Sequence, residues 1–103
     1  MEHKRGSTFD YFVNIPSTFG EGEFVGWAVT AQIRSRPAGT LIADLEPEWA
    51  NPVTTRRLNL KKIDTTTWVL GNAEFDIKFE RASDGYTLTT NTVPIVIVKD
   101  VTL

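Results

Sequence analysis

The only imidazole in this 103-residue chain belongs to His3, and the chain contains no cysteine. A serine, threonine or lysine nucleophile needs a base held beside it. Here the one candidate base sits near the start of the chain, where a solvated residue is expected. The lack of cysteine removes disulfide staples, thiolate metal sites and cysteine nucleophiles together. No H-E-x-x-H, P-loop, G-x-S-x-G or dinucleotide fingerprint occurs. Gly20-Glu21-Gly22 puts two glycines in a loop, but the carboxylate between them would repel phosphate.

Carboxylates are the next candidates. Asp44, Glu46 and Glu48 lie beside Trp49, and a carboxylate pair next to an aromatic platform is what sugar chemistry uses. Their alternation with Ala43, Leu45 and Pro47 instead predicts a solvated outer face. They also lack the D-x-D-x-D-G order of a calcium loop. We therefore expect no catalytic residue, no metal site and no cofactor.

Arg56, Arg57, Lys61 and Lys62 form the densest charge cluster. Such a cluster is the electrostatic footprint of nucleic-acid binders. The chain as a whole is acidic, with a net charge of −2, and no aromatics interleave with the four cations. In one unbroken strand Arg56 and Lys62 would face one side, Arg57 and Lys61 the other. A guarded sheet edge, or a contact from Arg56 and Arg57 to an acidic protein partner, is expected in place of nucleic acid.

The elements that must position these residues are strands. Fourteen Thr, nine Val and seven Ile stand against seven Leu and one Met, and branching at Cβ suits a pleated strand better than a helix. Alternation with period two recurs, and no long window keeps a helical period. Strands are predicted over residues 7–15, over Trp27–Arg34 with Trp27, Val29, Ala31 and Ile33 on one face, and over 40–45. Others follow over 54–60, with Leu58 and Leu60 inward, over Ala73–Glu80 with Phe75 and Ile77 inward, from Tyr86 to Leu88, and over 93–102. Pro16 ends the first strand, and Pro47 and Pro52 mark residues 46–52 as a connection. Asp64–Gly71 has two readings: Asp64 capping a short helical turn near 64–70 that Gly71 ends, or a strand favoured by Thr65–Thr67.

About seven short strands in a chain of this length predict an all-β antiparallel sandwich in one domain. Residues 1–19 would supply an N-terminal arm and first strand, and residues 20–103 the sandwich. Its core should hold Trp27, Val29, Ile33, Trp68, Phe75 and Ile77. No apolar run nears the roughly 20 residues that span a bilayer, so no membrane partner is expected. Along Ile95-Val96-Ile97-Val98 only one alternate pair can face the core, which leaves the other as an aliphatic strip on the outer surface. That strip is a candidate protein–protein interface, with a second copy or another protein as the cover. Cover from the same chain, by Phe12 or the N-terminal arm, is the competing reading.

Several pieces in order look familiar: Gly26-Trp27 with Ala31-Gln32-Ile33-Arg34, Leu41-Ile42-Ala43 after Gly39, and Leu58-Asn59-Leu60. Asp64-Thr65 with Trp68, Gly71-Asn72-Ala73-Glu74-Phe75-Asp76-Ile77, Ser83-Asp84-Gly85, Thr92-Val93-Pro94-Ile95 and Val101-Thr102 complete the series. Together, over about residues 20–102, they resemble the small β-sandwich domain found at the N-terminus of siphophage baseplate upper proteins and in stand-alone tailed-phage virion proteins of similar size. Ala73 departs from that pattern, which has an aromatic there. The resemblance implies an immunoglobulin-like fold without catalytic residues, located in the virion after synthesis in the bacterial host cytoplasm. It implies docking to other virion proteins on tail, baseplate or capsid, as a homo-oligomer or symmetric array. Baseplate upper proteins continue into helical, host-facing domains that this sequence lacks, so a docking or decorating role is expected. A host-surface glycan-binding module is the alternative.

Overall fold

The computed structural model describes residues 1–99; the expected continuation of the last strand to Thr102 lies outside them. Among the described residues there are nine strands and no helix: β1 (Glu2–Lys4), β2 (Phe9–Asn14), β3 (Ala28–Ser35), β4 (Leu41–Asp44), β5 (Glu46–Trp49), β6 (Arg57–Lys62), β7 (Gly71–Glu80), β8 (Thr87–Thr89) and β9 (Val93–Val98). They form two sheets, one ordered β1-β9-β7-β3-β4 with β8 also on β7, the other β2-β6-β5. With β2, β3, β4, β5, β6, β7 and β9 as strands B, C, C′, D, E, F and G, these are the GFCC′ and BED sheets of an immunoglobulin-like sandwich. All pairings are antiparallel except β1 with β9.

β8 and β9 occupy one lane beside β7. The register is Lys78↔Thr89 on β8 but Phe75↔Val93 on β9, a one-residue slip absorbed at Thr90–Thr92. Thr90 makes the slip tolerable: its N–H donates to the Ile77 carbonyl and its Oγ1 accepts from the Ile77 N–H, both at 2.9 Å. The side chain replaces the ladder bond that a bulge removes.

Alternation puts Ala31 and Ile33 of β3, Leu58 and Leu60 of β6, and Ala73, Phe75, Ile77 and Phe79 of β7 between the sheets, all buried. Ile95 and Ile97 join them from β9, and Phe9, Phe24, Leu45 and Trp68 fill the remaining space. Leu45 alone separates β4 from β5. Its N–H donates to the Ala31 carbonyl at 2.8 Å, and beyond that point the chain crosses from one sheet to the other.

Four expectations need correction. Residues 46–49 are a strand, not a connection, because Pro47 sits where a proline costs no ladder bond. The Ala50 N–H points to β6, donating to the Arg57 carbonyl, so by alternation the Pro47 nitrogen faces the free edge. Residues 64–70 form neither helical turn nor strand. Asp64 accepts from the Thr66 N–H and hydroxyl, the Trp68 N–H closes a single turn on the Thr65 carbonyl, and Trp68 then enters the core. Trp27 and Val29 are half-buried, with Trp27 ahead of β3 and set edge-on to Phe24 at 5.0 Å. His3 is not a solvated end: β1 lies on β9, and the imidazole packs against Phe9 and Trp68 at 5.4 and 5.2 Å.

Candidate docking surfaces

On β9, Ile95 and Ile97 point inward and are each 1% exposed, while Val96 is 42% exposed and Val98 half-buried. The outward pair is therefore Val96 and Val98. Glu2 and Lys4 of β1 stand beside them in register and Asn72 of β7 on the other side, so charged and polar side chains bound the strip. Neither expected cover lies over it. β1 extends the sheet sideways, and Phe12 belongs to the opposite sheet. Pro94 faces the same edge as Val96 and lies beyond the reach of β1, where its missing N–H is harmless.

Arg56 and Arg57 are elsewhere. Arg56 is half-buried and donates to the carbonyls of Pro16 at 3.1 Å and Phe19 at 2.8 Å, which fixes the loop after β2. Arg57 points outward with its guanidinium 3.9 Å from the Phe12 ring centre. The two sheets' outer faces point away from each other, so the structure does not bring the arginines and the β9 strip together. Nor do the four cations form one patch. Lys61 lies in register between Asp10 of β2 and Glu46 of β5, and Asn59 donates to the Asp10 carboxylate at 2.6 Å. We therefore expect no gel shift of duplex or single-stranded nucleic acid at physiological ionic strength. Micromolar binding with a steep salt slope, lost when all four cations are replaced by alanine, would contradict this.

The acidic run likewise does not assemble a sugar site. Asp44, Glu46 and Glu48 are exposed, while Trp49 turns inward and stacks on Phe24 at 6.3 Å and 14°. Apart from Phe12 under Arg57, an exposed aromatic stands at the loop end. There Tyr86, 52% exposed, meets the edge of Trp27 at 6.3 Å, and the Arg81 guanidinium lies over both rings. Asp84 grips Arg81 through two bonds of 2.9 and 2.7 Å and accepts from the Tyr86 N–H. Those contacts hold its carboxyl at about 2.

Sequence reasoning missed a groove of about 260 Å³ whose apolar lining includes Val13, Ile15, Phe19, Phe24, Phe79 and Leu88. It opens between β2 and β8. The Ile15 N–H points to β6, so by alternation the backbone groups of Phe12 and Asn14 face away from β6. On the far side the Tyr86 carbonyl and Thr90 N–H point to β7, which turns the backbone groups of Thr87 and Thr89 outward. In immunoglobulin constant domains an A strand lies beside B; among the described residues no strand takes that place beside β2. No local pattern could have revealed a groove made by a vacant lane.

His3 carries a pH-sensitive contact that the sequence did not foresee. Burial among aromatic rings pushes its imidazole below the ordinary value, and a bond to the Ser7 backbone opposes this only in part. The unfolded chain then binds the proton more readily than the folded one, so stability rises with pH across that window. The contribution is complete above the ordinary value and is lost as pH falls through it toward the depressed one. We expect the melting temperature to fall between pH 7.5 and 5. A His3→Phe variant, which keeps a ring and cannot titrate, should show a shallower fall.

No protein-family model matches the sequence, and a search of curated proteins finds no match.

Proposed function

We propose that this domain is a non-enzymatic structural protein of a tailed-phage virion that acts by docking to other proteins. The observation that carries the reading is the pair of strand edges, β2 and β8, on either side of the apolar groove, neither of them paired among the described residues. Free backbone donors and acceptors over an apolar floor suit the addition of an extended protein segment. The virion setting comes from the ordered resemblance of residues 20–102 to baseplate-type sandwich domains. The test is mass spectrometry of gradient-purified particles of the phage that encodes the chain. Its peptides should appear at a fixed ratio to the tail or capsid proteins through successive gradients. Loss of the peptides on repeated purification would overturn the proposal.

A second reading, a host-surface glycan module, has one observation in its favour: the exposed Tyr86 beside Trp27 at the end where the β2–β3 and β7–β8 loops meet. Arg81 occupies the ring faces that a sugar would need, which places this reading second. A glycan array in which binding is lost in a Tyr86→Ala variant would reverse the order.

A further inference from the structure

β1 differs from every other described strand in being parallel to its neighbour. It is three residues long, and its register is Glu2↔Val96, His3↔Ile97 and Lys4↔Val98. Two backbone bonds flank it, from the Val96 N–H to the Met1 carbonyl and from the Arg5 N–H to the Val98 carbonyl, each 2.9 Å. Its one inward side chain, His3, fits between Phe9 and Trp68, which belong to other elements.

The chain is clamped immediately after this strand. Thr65, wholly buried, accepts from the Gly6 N–H at 2.9 Å and donates its hydroxyl proton to the Ser7 carbonyl at 2.7 Å. Everything from Gly6 onward is thereby fixed to the body of the sandwich. One turn bond, from the Ser7 N–H to the Lys4 carbonyl at 3.2 Å, ties β1 to that clamp; once it opens Met1–Lys4 can leave as a unit, with Arg5 as the joint and Gly6, at φ +96°, supplying a backbone conformation open to glycine.

We propose that β1 is an exchangeable strap, and that in concentrated or ordered arrays Met1–Lys4 of one copy seats on Val96–Val98 of a second copy. The seat itself selects that occupant. Pro94 offers no N–H on the same edge, so among the described residues the edge accepts a strand over Val96–Val98 and not before it. The slot between Phe9 and Trp68 requires a flat ring at the middle position of that short strand. The chain's own β1 meets both conditions, and exchange between copies reproduces the ladder on β9 and the seating of His3, losing only the turn bond across the joint, which is why swapping is a low-cost route to association. The tether keeps the strap closed in dilute solution, because a short linker holds it at an effective concentration in the millimolar range. The inference rests on strand geometry and stands apart from the virion reading.

The absence of cysteine makes the test direct. Glu2 and Val96 are exposed register partners on neighbouring strands, with a spacing, about 4.8 Å, that a disulfide can bridge. Glu2→Cys and Val96→Cys chains are prepared separately, mixed in equal amounts, held from micromolar to millimolar concentration and oxidised. Exchange predicts a disulfide joining the two different chains, in several-fold excess over either like-with-like dimer and rising with concentration. Addition of His3→Ala to the Glu2→Cys chain should abolish the excess. A statistical mixture of the three dimers, or no covalent dimer at millimolar concentration, would overturn the proposal. The double variant Glu2→Cys/Val96→Cys, which should close a disulfide within one chain when dilute, verifies that the register forms.

Discussion

Trp68→Ala should lower the unfolding free energy by about 3–5 kcal/mol, the range for truncation of a buried aromatic. Trp68 is 2% exposed and lies against Phe9 at 5.6 Å and His3 at 5.2 Å, so the cavity would open at the heart of an aromatic group with little freedom to collapse. A domain of this size has only about 5–15 kcal/mol in hand. At roughly 4–8 °C per kcal/mol for a chain near this length, the melting temperature should drop by at least about 12 °C. Trp27→Ala makes the informative control. Trp27 is half-buried ahead of β3, so its truncation should cost only about 1–2 kcal/mol. Thermal melts of both variants check the order; equal losses would place Trp27 in the core after all.

That contrast shows how far the sequence could be read. Period two made β3, β6 and β7 legible because each has one apolar face, and it assigned Ile33, Phe75 and Ile77 to the interior, where all three lie. It also placed Trp27 on that face. The assignment failed at the strand's end, since burial depends on what stands opposite and here the loop end opens to solvent. β1 carried no signal, because Glu2-His3-Lys4 has no apolar alternation and becomes a strand only through β9. β5 was hidden by Pro47, whose rule against central strands does not hold at an edge. The Asp64 cap was legible as a cap. What it capped was decided by Trp68, whose burial pulls the chain into the core after one turn.

The candidate surfaces were less legible still. The reading that one of two β9 pairs must face outward followed from the pleat alone, but which pair it is depends on the register with β7. Ala73↔Ile95 and Gly71↔Ile97 settle it, since Ala73 is buried and Ile95 and Ile97 share its face. Arg56 looked like a surface cation, and its use for the Pro16 and Phe19 carbonyls depends on a loop returning from forty residues away.

Ile95→Asp with Ile97→Asp should therefore abolish folding, whereas Val96→Asp with Val98→Asp should leave the domain folded. The first pair would bury two carboxyl groups between the sheets among aliphatic and aromatic side chains. A polar group buried without a partner costs roughly 2–7 kcal/mol, and each position also loses the packing of a buried isoleucine, about 2–5 kcal/mol, so the two together remove what the domain has to lose. The second pair points outward, where solvent reaches Val96 directly and Lys4 stands in register with Val98. Its cost is the poor strand preference of aspartate, up to about 1 kcal/mol at each position, with a further loss at the half-buried Val98. Circular dichroism and thermal melts should thus show a sheet signal for the outward pair and none for the inward pair. If the outer face of β9 meets another protein in the particle, the folded Val96→Asp/Val98→Asp variant should fail to incorporate, since two carboxylates brought against an apolar partner cannot be solvated. Incorporation at wild-type levels would remove the β9 strip as a docking surface and leave the groove between β2 and β8, on which the proposed docking rests. Unfolding of both pairs would mean that the strip is covered within the chain, and the outward assignment of Val96 would fall with it.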